Sequence, residues 1–132
     1  MSLLYVDTSA FLKLFVAEPG SEAMLELSLA HQGKLASSDL LIAETLGTLN
    51  RRELDLSDAK SALRAVHLMP IRRNILDEAA ELSKFGLRTL DGIHLATALS
   101  VKSNLDAFIT FDHKLAEVAQ QLGLRVLEPN EA

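Results

Sequence analysis

Cysteine is absent from the chain, so disulfides and thiolate metal sites are excluded and any metal site has to use oxygen or imidazole ligands. Aromatic residues are scarce, with five Phe, one Tyr and no Trp, while Leu and Ala dominate an apolar fraction of 48%. Such a composition suits helices layered on a small sheet better than a β-sandwich. No apolar run approaches a membrane-spanning length. The opening MSLLYVDTSAFLKLF lacks the basic n-region of a secretory signal and meets an acid at Asp7. The expectation is a soluble, cytoplasmic protein with no membrane association. Positive charge is outweighed, with 13 Lys and Arg against 18 Asp and Glu and a net charge of −5, which argues against indiscriminate coating of nucleic acid. Room remains for a local basic rim, since Arg51 to Arg88 holds eight Lys and Arg against six Asp and Glu. Internal repeats and low-complexity linkers are also missing, and a chain of 132 residues is expected to form one domain over 1–132.

What is present is an alternation of short apolar runs and helical patterns. Leu3–Val6 reads as a buried parallel strand that delivers Asp7 at its end. A helix capped by Thr8 or Ser9 follows, with Phe11, Leu12, Leu14 and Phe15 as its apolar face and Glu18-Pro19-Gly20 as its stop. The pattern then predicts a helix over 21–31, a weak strand over 34–37 and a long helix over 38–52 that carries Glu44. Ser57 is the expected cap of a helix over 58–66, and 67–71 reads as a strand that Pro70 confines to a sheet edge. Residues 75–85 suggest a helix ended by Gly86. Thr89 is the expected cap of the next helix, whose buried face is Ile93, Leu95, Ala96 and Leu99. A strand over 107–110 places Asp112 two residues beyond its end, a helix over 114–122 closes at Gly123, and 125–127 offers a last strand. Strands alternating with helices imply right-handed βαβ units. The fold class is therefore α/β, a three-layer α/β/α sandwich around a short central parallel sheet.

Asp7 and Asp112 close strands, Asp91 opens a helix, and Glu44 lies on a helix that can face the same strand ends, where crevices of open α/β sheets form. Each acid alone has an ordinary explanation: Asp7 and Asp91 as helix-end residues, Glu44 as a solvated position on a polar face. Converged carboxylates would repel one another unless a cation compensates them, and oxygen-only ligands favour Mg²⁺ or Mn²⁺ over zinc. Divalent ions held in this way activate water and stabilise a leaving oxygen, the chemistry of phosphodiester hydrolysis. His94 follows Asp91 by three residues and is flanked by Ile93 and Leu95, so a partly buried, hydrogen-bonded structural role is expected rather than that of ligand or general base. His113 is expected to be exposed. A Mg²⁺-binding signalling module fits poorly: a receiver-like domain needs a Lys after its last strand, where Glu128-Pro129-Asn130 stands. A haloacid-dehalogenase-type phosphatase needs an Asp where Ser9 stands.

Taken in order, the strand ending in Asp7-Thr8-Ser9, Ser38 with Glu44 on the third helix, Leu90-Asp91-Gly92-Ile93-His94-Leu95-Ala96-Thr97-Ala98, and Thr110-Phe111-Asp112 resemble the PIN-domain ribonucleases. The likeness is to the VapC toxins of bacterial and archaeal toxin–antitoxin pairs in particular. It implies a Mg²⁺- or Mn²⁺-dependent endoribonuclease whose acids Asp7, Glu44, Asp91 and Asp112 hold the metal and orient the attacking water. It also implies homodimers and a VapB-type antitoxin that covers the active-site groove. Thr8, Ser9 and Thr110 occupy positions where the family often has hydroxyl residues near the acids, so they are expected to hydrogen-bond the carboxylates and fix their orientation. Arg51, Arg52, Arg72, Arg73 and Arg88 are the expected phosphate contacts, which would position RNA without reading its sequence. A non-toxin PIN nuclease of RNA processing and a PIN fold kept as a scaffold without nuclease activity stand as the alternatives.

Overall fold

The computed structural model describes residues 2–129; Met1 and 130–132, including the Asn130 noted above, lie outside the described residues. Five strands, β1 (Leu3–Val6), β2 (Leu35–Ser38), β3 (His67–Met69), β4 (Leu105–Ile109) and β5 (Val126–Leu127), form one parallel sheet in the order β3-β2-β1-β4-β5. The helices are α1 (Thr8–Leu12), α2 (Ser21–Ala30), α3 (Leu40–Arg51), α4 (Ser57–Leu63), α5 (Arg73–Leu82), α6 (Thr89–Ser100) and α7 (His113–Gln121). Among the described residues, no helix is long and apolar enough to cross a membrane.

The pleat sorts the side chains into two cores. Tyr5 of β1 and Phe108 of β4 point into one, with Ile75, Ala79 and Leu82 of α5, Leu95 and Ala98 of α6 and Leu115 and Val118 of α7. Their neighbours Leu4, Val6, Ala107 and Ile109 point into the other, against Ala10 and Phe11 of α1, Met24 of α2, Leu41 of α3 and Leu63 of α4. Helices therefore cover both faces, and the predicted three-layer sandwich is what forms. β3 lies at the edge, as Pro70 requires. The weakly signalled β2 is buried along its whole length despite two serines. Both hydroxyls are satisfied: Ser37 Oγ donates to the Val6 carbonyl at 2.6 Å, and Ser38 Oγ accepts from the Leu40 N–H at 3.0 Å.

Helix ends differ from expectation for local reasons. Asp7, not Thr8 or Ser9, caps α1, and α1 ends at Leu12 because Lys13, Leu14 and Phe15 turn to carbonyls three residues back. Ser57 lies inside α4, since the Asp55 carboxylate takes its N–H at 2.7 Å and Leu56 becomes the cap. Thr89 likewise falls inside α6, capped by Arg88 in an extended conformation. Gly92 sets how closely α6 approaches α5, because a Cβ there would stand 3.1 Å from the Ala79 carbonyl oxygen.

One buried hydroxyl is left over. Thr45, fully buried on α3, has an Oγ1 with no hydrogen-bond partner among the described residues. Thr45→Val, which keeps the shape and removes the orphan, is expected to stabilise the protein by about 1 kcal/mol, measured by urea unfolding.

Candidate active site

Parallel register brings the ends of β1 and β4 level, with Val6 opposite Ile109 and the Asp7 N–H donating to the Ile109 carbonyl at 3.2 Å. The side chains just beyond then interlock. Asp7, only 3% exposed, accepts at Oδ1 from the Ala10 N–H (2.9 Å) and Ser9 Oγ (2.7 Å), and at Oδ2 from Thr110 Oγ1 (2.6 Å). Thr110 Oγ1 in turn accepts from the Asp112 N–H at 3.0 Å, and Ser9 Oγ accepts from the Phe111 N–H at 3.0 Å. Ser9 and Thr110 thus both donate to the Asp7 carboxylate. Burial pushes the Asp7 carboxyl above its ordinary range, and the Thr110, Ser9 and Ala10 donors only partly oppose this.

Asp112 caps α7 through Oδ1, which accepts from the Leu115 N–H at 3.0 Å. Between its two neighbours, the Phe111 ring lies on Gly20, whose φ of +96° suits glycine and where a Cβ would come within 2.5 Å of the ring. Asp91 sits half-buried in the first turn of α6 and, among the described residues, makes no hydrogen bond or ion pair. Its carboxyl is pushed up by burial first, then by the charges of Asp112 and Asp7; His94 and Arg88 oppose the rise. Three aspartates from three elements therefore act on one another at one sheet edge. Capping and clustering are compatible: at Asp7 and Asp112 the cap is what fixes the acid in place.

Glu44 reaches the site differently. It is turned inward rather than solvated, and its Oε1 accepts from His94 Nε2 at 2.8 Å and from Thr8 Oγ1. Burial raises its carboxyl, but His94 and Thr8 outweigh burial and leave it below its ordinary range. His94 is 2% exposed, more deeply buried than expected, and its Nδ1 lies 2.8 Å from the Tyr5 hydroxyl. The spacing of three from Asp91 was the available signal that His94 shares the site's face. Nothing in the sequence couples Tyr5 to it. His113 is exposed and pairs with Glu128 at 2.7 Å.

All five candidate arginines are exposed. Arg88 caps α6 and lowers the Asp91 carboxyl, while Arg72 and Arg73 open α5, whose start lies against the far end of α6, with Arg72 lining the same crevice as Ser100 and Val101. Arg51 stands seven residues beyond Glu44, roughly 10 Å further along the α3 axis, and its guanidinium donates to Thr48 Oγ1 at 3.2 Å. Arg52 follows it, so this pair is set apart from the acids.

Among the described residues, no group of three His, Asp or Glu side chains is drawn together closely enough to hold a metal ion as it stands. The donor set fits a hard divalent cation all the same. All four groups are carboxylates, and Asp91 makes no hydrogen bond or ion pair among the described residues. The repulsion that raises Asp91 is what a cation relieves.

A family model for the PIN domain matches residues 4–121. The Mycobacterium tuberculosis ribonuclease VapC46 is 37% identical over 131 residues, covering 98% of this chain and 100% of that protein. Ribonuclease VapC47 of the same species is 30% identical over 132 residues, covering 96% and 97%. Among solved structures, a toxin–antitoxin complex from Klebsiella pneumoniae is similar in fold, with a TM-score of 0.74 at 22% identity over 99% of this chain and 100% of that one. A family model over most of the chain and full-length relatives at 30% identity and above establish that the chain belongs to the PIN-domain family, among the VapC ribonucleases.

Proposed function

We propose that the chain is a single-domain, Mg²⁺- or Mn²⁺-dependent endoribonuclease toxin of the VapC type, which hydrolyses RNA phosphodiester bonds. It works as a cytoplasmic homodimer and is held inactive by a VapB-type antitoxin. The observation that carries this reading is the gathering of Asp7, Asp91 and Asp112 at the level ends of β1 and β4, close enough for two of the charges to raise the third. Full-length relatives named as ribonucleases support the RNA substrate, and the similar toxin–antitoxin complex supports the antitoxin. Asp7, Glu44, Asp91 and Asp112 would hold the metal, which when bound supplies water activation and stabilisation of the leaving oxygen. Ser9 and Thr110 keep the Asp7 carboxylate in one orientation, and Thr8 does the same for Glu44.

Arg88, beside Asp91, is the phosphate contact that the site favours, with Arg51, Arg52, Arg72 and Arg73 further out. Replacing Arg88 by Ala is expected to weaken RNA binding and to flatten its salt dependence by about 0.7 in log–log slope, one phosphate contact to single-stranded RNA. The Arg51 and Arg52 pair should have a much smaller effect. Binding to a cleavage-deficient variant across a salt series measures both.

Expression of the wild-type chain in a bacterial host is expected to arrest growth and leave discrete RNA fragments, and co-expression of the product of the neighbouring small gene should restore growth. Normal growth and intact RNA with the protein verifiably present would overturn the toxin reading. The scaffold reading draws on the lack of a ready metal cluster among the described residues; it requires Asp91→Asn to leave every partner interaction and every cellular effect unchanged.

A further inference from the structure

The bond between His94 and Glu44 is one link of a chain that starts deeper in the protein. Tyr5 is fully buried, its ring stacked on Phe108 at 5.2 Å with 7° between the planes and edge-on to His94 at 5.8 Å and 80°. Two ring contacts fix where its hydroxyl points. Its hydroxyl, which also lies within reach of Ser37, Ser38 and Thr97, stands 2.8 Å from His94 Nδ1 and as a phenol O–H can donate to it. A neutral imidazole that accepts at Nδ1 carries its proton on Nε2. Nε2 is 2.8 Å from Glu44 Oε1, the same oxygen that accepts from Thr8. Side chains from α6 and α1 therefore converge on one oxygen of an acid on α3, and a Tyr5 hydroxyl that donates to Nδ1 leaves Nε2 to donate to that oxygen.

We propose that Tyr5 and His94 form a positioning relay that ties Glu44 Oε1 into the protein and leaves Oε2 as the one oxygen that Glu44 offers a divalent cation. His94 acts through Glu44 and is a positioning residue. The relay rests on the metal-dependent reading above and extends it to two residues that would otherwise count only as core. It explains why an imidazole, and not an aliphatic side chain, occupies a fully buried place between Ile93 and Leu95.

Two substitutions separate this role from mere packing. His94→Gln carries an amide N–H where Nε2 stands and keeps the donor to Glu44, whereas His94→Asn reaches only as far as Nδ1 and loses it. Mn²⁺ binding to RNA-free protein, read by electron paramagnetic resonance, is expected to weaken 10–100-fold in His94→Asn, the range for losing such an orienting partner, and far less in His94→Gln. RNA cleavage should follow the same order. The wild-type imidazole should show the ¹⁵N signature of a proton on Nε2, and Tyr5→Phe, which preserves both ring contacts, should shift it. A proton on Nδ1 in the wild type, equal Mn²⁺ affinity in the Gln and Asn variants, or no Mn²⁺ binding at all would overturn the relay. Because tautomer and affinity are read without RNA, a wild type that meets both expectations yet cleaves no RNA would overturn the proposed activity and leave the relay standing.

Discussion

Asp91→Asn is expected to lower RNA cleavage by more than about 100-fold, beyond what the loss of an orienting partner costs, and at the same time to raise the melting temperature at neutral pH. The two effects share one cause. Folding places the Asp91 carboxyl in a half-buried position facing the charges of Asp112 and Asp7, which raises its pKa. A group whose pKa rises on folding binds its proton more tightly in the folded state. It therefore stabilises the protein below the ordinary Asp range and destabilises it once pH exceeds the raised value. Asn does not titrate, so the variant gains on the wild type at pH 7 and the gain disappears as pH falls through the raised pKa towards the ordinary one. Thermal melts of both proteins from pH 3 to pH 8, run without metal, measure the crossover. Asp7→Asn should lose cleavage as well. Its amide would meet the Thr110 hydroxyl donor against donor, so it should not share the stability gain.

Divalent metal should produce the other large effect. Mg²⁺ or Mn²⁺ at a hundredfold excess over its dissociation constant is expected to stabilise the folded chain by about 2.7 kcal/mol. For a chain of this size that corresponds to a rise of about 10 °C in melting temperature. EDTA should reverse the shift, and Asp91→Asn should lose most of it, since the variant lacks the charge that the ion neutralises. The sign of the pH dependence is fixed by the same carboxyls. Asp7 and Asp91 both hold their protons more tightly than usual, so metal has to displace protons as pH falls, and the stabilisation should shrink on acidification. Differential scanning fluorimetry across metal and pH reads all of these.

The strands were legible where apolar runs end in an acid. Val6-Asp7 and Ile109-Thr110-Phe111-Asp112 give both the strand and the residue it delivers, and parallel register does the rest. β2 gave a poor signal because Ser37 and Ser38 are polar yet fully buried, and their hydrogen-bond partners come from other elements. Cap assignments slipped at Thr8, Ser57 and Thr89 for the same kind of reason: Asp7 and an extended Arg88 took the role at α1 and α6, and at α4 the Asp55 carboxylate drew the Ser57 N–H and left the cap to Leu56. Glu44 was legible as a candidate but not in its direction. Its partners Thr8 and His94 lie 36 and 50 residues away in the chain, and no local periodicity encodes such a contact. The five arginines could be named but not sorted, because only the fold puts Arg88 beside Asp91, sets Arg51 and Arg52 apart along α3 and carries Arg72 to the far end of α6.

Cleavage of total cellular RNA by the purified wild type and by Asp91→Asn, each with Mg²⁺, with Mn²⁺ and with EDTA, tests the central claim most directly. Discrete fragments that require both a divalent ion and Asp91 are the predicted result. Fragments that persist in EDTA or with the Asn variant, or intact RNA under every condition, would contradict it.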